Sequence, residues 1–191
     1  MKLTSLAATL LSATALTAGA AAAQPSDWYV RGDIGGTFQA EIDASPTVEA
    51  DDGLIVSGGA GAHLTPNIRL EGELAYLQAD GDGGGDLKTT AAFLNGYYDF
   101  NPDGVWRPYV GAGVGYGSVE LDGGGVDDDD AGLAYQFKAG LARPLGQRAI
   151  GEIGYRYVTV SEVELGAGAS RLDGDFSSHA VTVGLRYPLG R

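Results

Sequence analysis

Residues 68–76 read Ile68-Arg69-Leu70-Glu71-Gly72-Glu73-Leu74-Ala75-Tyr76: the even positions are apolar or glycine, and three of the four odd positions are charged. Successive side chains of a β-strand point to opposite faces, so this stretch has one greasy face and one ionic face. Working outward, stretches of about eleven residues with the same two-residue period recur at 28–38, 54–64, 90–100, 106–116, 133–143, 149–159 and 179–189, with 68–78 between them. About eleven residues is the length a tilted strand needs to cross a bilayer. The expected fold is all-β.

Facing decides what kind of all-β protein this is. One face of the eight segments carries Val30, Ile34, Leu54, Val56, Leu74, Leu94, Val110, Val114, Ile153, Val181, Val183 and Leu185, and its only formal charge is Arg143, at a strand end. The opposite face carries eleven charges: Arg31, Asp33, Arg69, Glu71, Glu73, Asp99, Arg107, Lys138, Glu152, Arg156 and Arg186. A soluble barrel would bury the apolar face inward and have no use for so many charges in its wall. Turned round, with those charges in a dry core, each unpaired one would cost several kcal/mol. Six positive and five negative charges facing one another along a lumen, with hydrocarbon outside, resolves the conflict. Closure also leaves no backbone edge unsatisfied in lipid. The expectation is an eight-stranded antiparallel up-and-down transmembrane β-barrel.

The connections agree. Thr65-Pro66-Asn67, Asn101-Pro102-Asp103-Gly104 and Pro144-Leu145-Gly146 supply turn chemistry after the second, fourth and sixth segments. After each odd segment a longer stretch intervenes, at 39–53, 79–89, 117–132 and 160–178, and these four stretches hold most of the carboxylates. They are expected as long, solvated acidic loops on one side of the membrane, with both termini on the other. Trp28, Tyr98, Phe100, Trp106 and Tyr187 fall near the short-turn ends, and Phe38, Tyr76, Tyr116, Tyr135, Tyr155 and Tyr157 toward the long-loop ends, as two interfacial girdles would require.

The whole chain has 191 residues, 12 basic against 25 acidic, 32 glycines and no cysteine. The glycines have no three-residue period, which excludes collagen. Lys2, the apolar stretch Leu6 to Leu16 and the small residues Ala21-Ala22-Ala23 before Gln24 read as an export signal over 1–23, leaving 24–191 as the barrel domain. No later run approaches the roughly 20 apolar residues of a membrane-spanning helix. Strong acidity argues against nucleic acid as a partner.

Several segments resemble a known family. Asn95-Gly96-Tyr97-Tyr98-Asp99-Phe100, Arg107-Pro108-Tyr109-Val110-Gly111-Ala112-Gly113-Val114-Gly115, Tyr135-Gln136-Phe137-Lys138-Ala139-Gly140, Gly154-Tyr155-Arg156-Tyr157 and Gly184-Leu185-Arg186-Tyr187 follow one another in the order found in the outer membrane protein β-barrel domain family, the OmpA-type eight-stranded transmembrane barrels and "porin family" proteins of Gram-negative bacteria. The resemblance covers the chain beyond its signal. It implies the cell outer membrane, outer-membrane lipids and lipopolysaccharide as surroundings, a monomer, and a structural or surface-interaction role in envelope integrity, adhesion or antigenicity. Thr182 to Leu189 resembles the terminal signal read by the barrel-insertion machinery. It departs from the family's aromatic ending, since Pro188 and Gly190-Arg191 follow the last aromatic, Tyr187.

Three chemistries are weighed beside this. An eight-stranded barrel is only wide enough to be filled by side chains, so the lumen charges read as a paired plug rather than as a gated pore in which Arg156 exchanges carboxylate partners. Inward glycines at 35, 59, 61, 111, 113, 115, 140, 154 and 184 are expected to give room to arginines from facing strands. Asp127-Asp128-Asp129-Asp130 could offer oxygen ligands to a divalent cation, but no EF-hand spacing is present and no metal or cofactor is expected. A lipid A-modifying hydrolase would need a base such as His179, yet Ser178 beside it must face the other way; no enzyme is expected. The remaining alternatives are a narrow passive porin-like channel and a periplasmic lipocalin-like binder.

Overall fold

The computed structural model describes residues 28–43, 48–81, 85–123, 126–165 and 172–190. The expected export signal over 1–23 lies outside them. Eight strands follow in order: β1 (Trp28–Asp43), β2 (Val48–His63), β3 (Ile68–Gly81), β4 (Gly85–Asp99), β5 (Arg107–Gly123), β6 (Val126–Leu145), β7 (Ala149–Leu165) and β8 (Leu172–Pro188). Each pairs antiparallel with its neighbour and β8 pairs with β1, closing an up-and-down barrel. Closure gives the wall a continuous ladder, a requirement in hydrocarbon, with register shifts between Phe38 and Glu41, Ala50 and Gly53, and Val160 and Val163. It runs as far as Leu189: Tyr29 is registered with Pro188, and the Leu189 amide donates to the Trp28 carbonyl at 2.8 Å. Pro188 lacks an N–H, but at the last position of a strand that loss is small.

The wall faces as the alternation requires. Leu74, Val114, Ile153 and Val110 are 66%, 62%, 54% and 44% exposed, whereas Arg69 and Glu71 are each 1% exposed. A lipocalin-like arrangement, apolar inside and polar outside, is thereby overturned. Trp106, Phe100, Tyr98 and Tyr187 lie exposed near the short-turn end, and Tyr76, Tyr116 and Tyr155 toward the other. Arg143, the one charge of the outer face, lies over the Trp106 ring at 5.0 Å from its centroid, so it sits at the interface as part of an aromatic anchor.

Short turns connect β2–β3, β4–β5 and β6–β7. In the first, the Thr65 hydroxyl accepts from the Asn67 and Ile68 amides at 3.3 and 3.0 Å. Asn67 ties that turn to the next by donating Nδ2 to the Asp99 carbonyl at 2.7 Å. The third turn needs a positive φ, and Gly146 supplies it at 77°.

The opposite end corrects the sequence-based expectation. The stretches 39–53, 79–89, 117–132 and 160–178 are not long loops, because strands run through most of each: Ile42 pairs with Val48, Gly81 with Gly85, Gly123 with Val126 and Leu165 with Leu172. Asp127 to Asp130 belong to β6 and are registered with β5 from Asp122 to Val119. Glycine and aspartate have low strand propensity, but propensity is a weak term once closure has already brought the next N–H and C=O groups into opposition. Strands of 14 to 20 residues exceed what the membrane needs. At about 2.5 Å of height per tilted residue, β6 spans about 50 Å against an apolar band about 25 Å tall, so the hairpins project well beyond the bilayer.

Candidate functional site: the barrel lumen

Ten of the eleven charges expected inside are buried there: Arg31, Asp33, Arg69, Glu71, Glu73, Asp99, Lys138, Glu152, Arg156 and Arg186. They comprise five cations and five carboxylates and so sum to zero. Arg107 is the exception. As the first residue of β5 it is half-buried at the mouth of the barrel and donates Nε to the Gly104 carbonyl at 3.0 Å, capping the β4–β5 turn. Its parity is right for the lumen, but its height is not.

The ten form two connected sets. Nearest the short turns, Arg69 grips Asp99 with Nε at 2.7 Å and Nη2 at 3.1 Å, a bidentate pair that fixes the planes of both groups. Its Nη1 donates to the Tyr29 hydroxyl at 3.1 Å, and its guanidinium lies 4.4 Å from the Tyr97 ring centroid, with the Tyr29 and Tyr109 rings at 5.5 and 5.7 Å. A cation enclosed by three ring faces is stabilised without the cost of orienting more carboxylates. Arg186 then links Asp99, 4.0 Å away, to Glu152 at 3.1 Å. Glu152 passes the chain to Arg31 at 3.0 Å, and Arg31 also holds Asp33 at 2.7 Å and Glu71 at 3.0 Å. The Tyr97 hydroxyl sits between Arg31 and Glu71, accepting from one and donating to the other.

The second set centres on Glu73. Lys138 reaches one of its oxygens and Arg156 the other. Amides complete the shell: Asn95 Nδ2 donates to Glu73 Oε2 at 2.8 Å, Gln136 Nε2 donates to Asn95 Oδ1 at 2.7 Å, and Arg156 Nε donates to Gln136 Oε1 at 2.7 Å. Glu73 thus gathers two cations and the amides of Asn95 and, at 3.4 Å, Gln136, and Arg156 is held by more than its ion pair.

Alternation marked these charges but not the neutral groups that join them. Tyr29, Tyr97, Tyr109, Asn95 and Gln136 are all buried inside, and their parity within strands whose charges were already assigned inward was the signal available to find them. Five of the inward glycines, Gly61, Gly111, Gly113, Gly140 and Gly154, serve these groups rather than the arginines expected. A Cβ at Gly140 or Gly154 would lie 2.5 or 2.7 Å from the Tyr109 hydroxyl, and one at Gly61 2.5 Å from that of Tyr29. Tyrosine needs the space because it lies flat against the neighbouring strand's backbone to stack on Arg69.

Two further features bound the lumen. A cavity of about 420 Å³ at the short-turn mouth is lined by His63, Asp99, Asp103, Arg107 and Arg186, among others. Toward the opposite end, inward positions turn apolar: Ile55, Leu77, Phe93, Val119, Val158, Val160 and Phe176 form one buried cluster. His179 is outside the lumen altogether. It stacks on Phe38 at 5.8 Å, and its Nδ1 is 2.5 Å from the Tyr155 hydroxyl, while Ser178 points inward and is 1% exposed. The serine–histidine pair that a hydrolase would need does not form here. Among the described residues no group of His, Cys, Asp and Glu side chains could hold a metal; the side chains of Asp127 to Asp130 lie outside the described residues.

A zero-sum ionic core inside an apolar wall is the arrangement of a membrane barrel. A sequence model of the outer membrane protein beta-barrel domain matches residues 8–188. The chain belongs to the outer membrane protein beta-barrel domain family. Solved structures give the same fold. The chain is similar to neisserial surface protein A at 20% identity and a TM-score of 0.67, covering 87% of this chain and 98% of that one. It resembles the N-terminal β-barrel domain of Pseudomonas aeruginosa OprF at 18% identity and a TM-score of 0.52, covering 85% and 98%. Ail, the attachment invasion locus protein of Yersinia pestis, follows at 14% identity and 0.52, covering 84% and 99%. No curated protein sequence matches. As an outer membrane protein beta-barrel domain, the chain is an integral protein of the Gram-negative outer membrane, its apolar wall in lipid.

Proposed function

We propose that this barrel works as a structural and surface-interaction element of the outer membrane, with a plugged lumen and no catalysis of its own. The neutral ionic core carries this reading. Five cations and five carboxylates hold one another inside the wall, so the interior is used to make the barrel rigid. The hairpins that run beyond the bilayer supply an acidic, outward-facing surface, in keeping with a part in envelope integrity, adhesion or antigenicity. Two of the similar structures carry names that speak of a surface protein and of attachment. Residues 1–23 act as a cleaved export signal, the strand Thr182 to Leu189 is read by the insertion machinery, and the mature barrel is a monomer in contact with lipopolysaccharide.

The test is fractionation of cells expressing the full chain, with gel mobility compared before and after heating. Recovery in the outer-membrane fraction as a species that migrates faster unheated than heated supports a closed membrane barrel. Recovery in the soluble periplasm without detergent overturns it. Unchanged lipid A mass spectra in cells carrying His179→Ala are the expected outcome for a barrel without hydrolase activity.

A further inference from the structure

The lumen has two layers of opposite character stacked along one axis. On β3 the inward residues read Arg69, Glu71, Glu73 and then Ala75 and Leu77; on β4, from the same end, Asp99, Tyr97, Asn95 and then Phe93 and Ala91. β7 gives Glu152 and Arg156 before Val158 and Val160, and β8 gives Arg186 and Thr182 before Ala180 and Phe176. The change from ionic to mainly apolar thus comes on β3, β4, β7 and β8, always on the side away from the short turns, with small hydroxyl residues such as Thr37, Ser57, Thr89 and Ser178 buried beside it. Each member of the apolar layer is nearly sealed off: Val119, Val160, Ala134 and Phe176 are 0% exposed.

We propose that this apolar layer, and not the ion-pair network, is the permeability seal of the barrel: a dry septum across the outer half of the lumen that stops ions and water. The inference rests on the plugged-lumen reading above and assigns the plug to particular residues. The ionic half is not tight in itself. Arg31 Nε, Asp33 Oδ1, Glu71 Oε2, Glu152 Oε1 and Arg186 Nε and Nη1 are buried without an aligned hydrogen-bond partner in the protein, even where a counter-charge stands near, as Glu152 does to Arg186, whereas the apolar layer holds two such atoms among the described residues, the uncharged hydroxyls of Thr89 and Ser178. Such atoms are where water enters a polar interior. The 420 Å³ cavity at the short-turn mouth opens directly onto Arg186 and Asp99. Beyond it, a space of about 10 Å³, room for one water at most, is bordered by Ile55, Ala75, Leu77, Ala91, Phe93 and Val158 together with Thr89 and Arg156. An ion arriving there would have to shed its hydration against a mainly apolar lining, with the Thr89 hydroxyl and the cationic Arg156 as the polar groups bordering the space, and hydrophobic constrictions block conduction by dewetting.

Planar-bilayer recording of the purified full chain and two sets of variants tests this. Wild type is expected to be silent. Glu73→Gln and Arg31→Gln, which loosen the ionic layer, are expected to stay silent. Val158→Thr with Val160→Thr, which keeps side-chain volume but adds hydroxyls to the septum, is expected to produce stepwise openings, as is Phe93→Ala with Phe176→Ala. Heat-modifiable mobility identifies which variants still close, and the threonine pair keeps the test decisive where the alanine pair does not fold. Openings in the ionic-layer variants, with folded septum variants silent, would overturn the septum and leave the plugged-barrel reading intact. Openings in wild type would overturn that reading itself.

Discussion

The two halves of the lumen solve the same problem in opposite ways. Between β1 and β8 at the short-turn end, burial is made tolerable by compensation, with every cation within 4.0 Å of a carboxylate or closer. A few residues further along the same strands, burial is achieved by leaving charged groups out, and Phe176 and Val160 fill the section with only hydroxyls such as Thr89 and Ser178 among them. The ionic half gives orientation, because a bidentate pair such as Arg69–Asp99 fits one register only. The apolar half gives no such direction but excludes water. A barrel built of either kind alone would be well registered and leaky, or dry and free to slip.

Substitutions can break this contrast. The largest effect is expected at Glu73. Replacing it with leucine leaves Lys138 and Arg156 buried without their carboxylate, and losing one partner of a buried ionic group costs about 3 to 5 kcal/mol. Urea unfolding of the refolded barrel in phospholipid vesicles measures it; a loss under about 1 kcal/mol would mean that the network is solvated and the ionic half is not a structural core. In the apolar half, Phe176→Ala should cost about 3 kcal/mol, the low end for removing a buried phenyl, since Val160 beside it can settle into part of the space.

The contrast between the inside and the outside of the wall is sharpened by Val114→Arg. The lumen accommodates arginines at 1–7% exposure because partners await them, whereas Val114 is 62% exposed to hydrocarbon. The same side chain there should cost about 2 to 4 kcal/mol in the same unfolding assay, and wild-type stability would show that Val114 does not lie at mid-membrane. The smallest effect is expected at the interface, where Arg143→Ala removes one cation–π contact with Trp106, worth about 0.5 to 1 kcal/mol. A blue shift of the Trp106 emission would accompany it if the ring then settles deeper into lipid.

How much was legible in the sequence follows from the range over which each property is set. The two-residue period of Ile68 to Tyr76 is fixed by the geometry of a single strand, so the greasy and ionic faces could be assigned without knowing any neighbour. The turns at Thr65 and Pro144 are equally local. Strand length was not legible beyond the membrane: Asp127 to Asp130 look like a loop in isolation, and they pair only because β5 and β6 have been held side by side since Arg107 and Ala142. Arg107 illustrates the complementary gap. Parity assigned it to the lumen, but one strand end more or less decides whether a side chain meets the ionic core or a turn carbonyl.

The sequence by itself determined that this is an inside-out barrel of eight strands, because the alternation of side chains and the cost of burying charge are properties each segment carries alone. Only the tertiary structure decided which carboxylate each arginine meets, that Tyr109 occupies the room left by Gly140 and Gly154, and that the apolar positions of several strands fall at one height. Those are questions of stagger. The height at which a residue stands depends on how every strand is offset from its neighbour around the whole closed circuit, and no single segment contains that information.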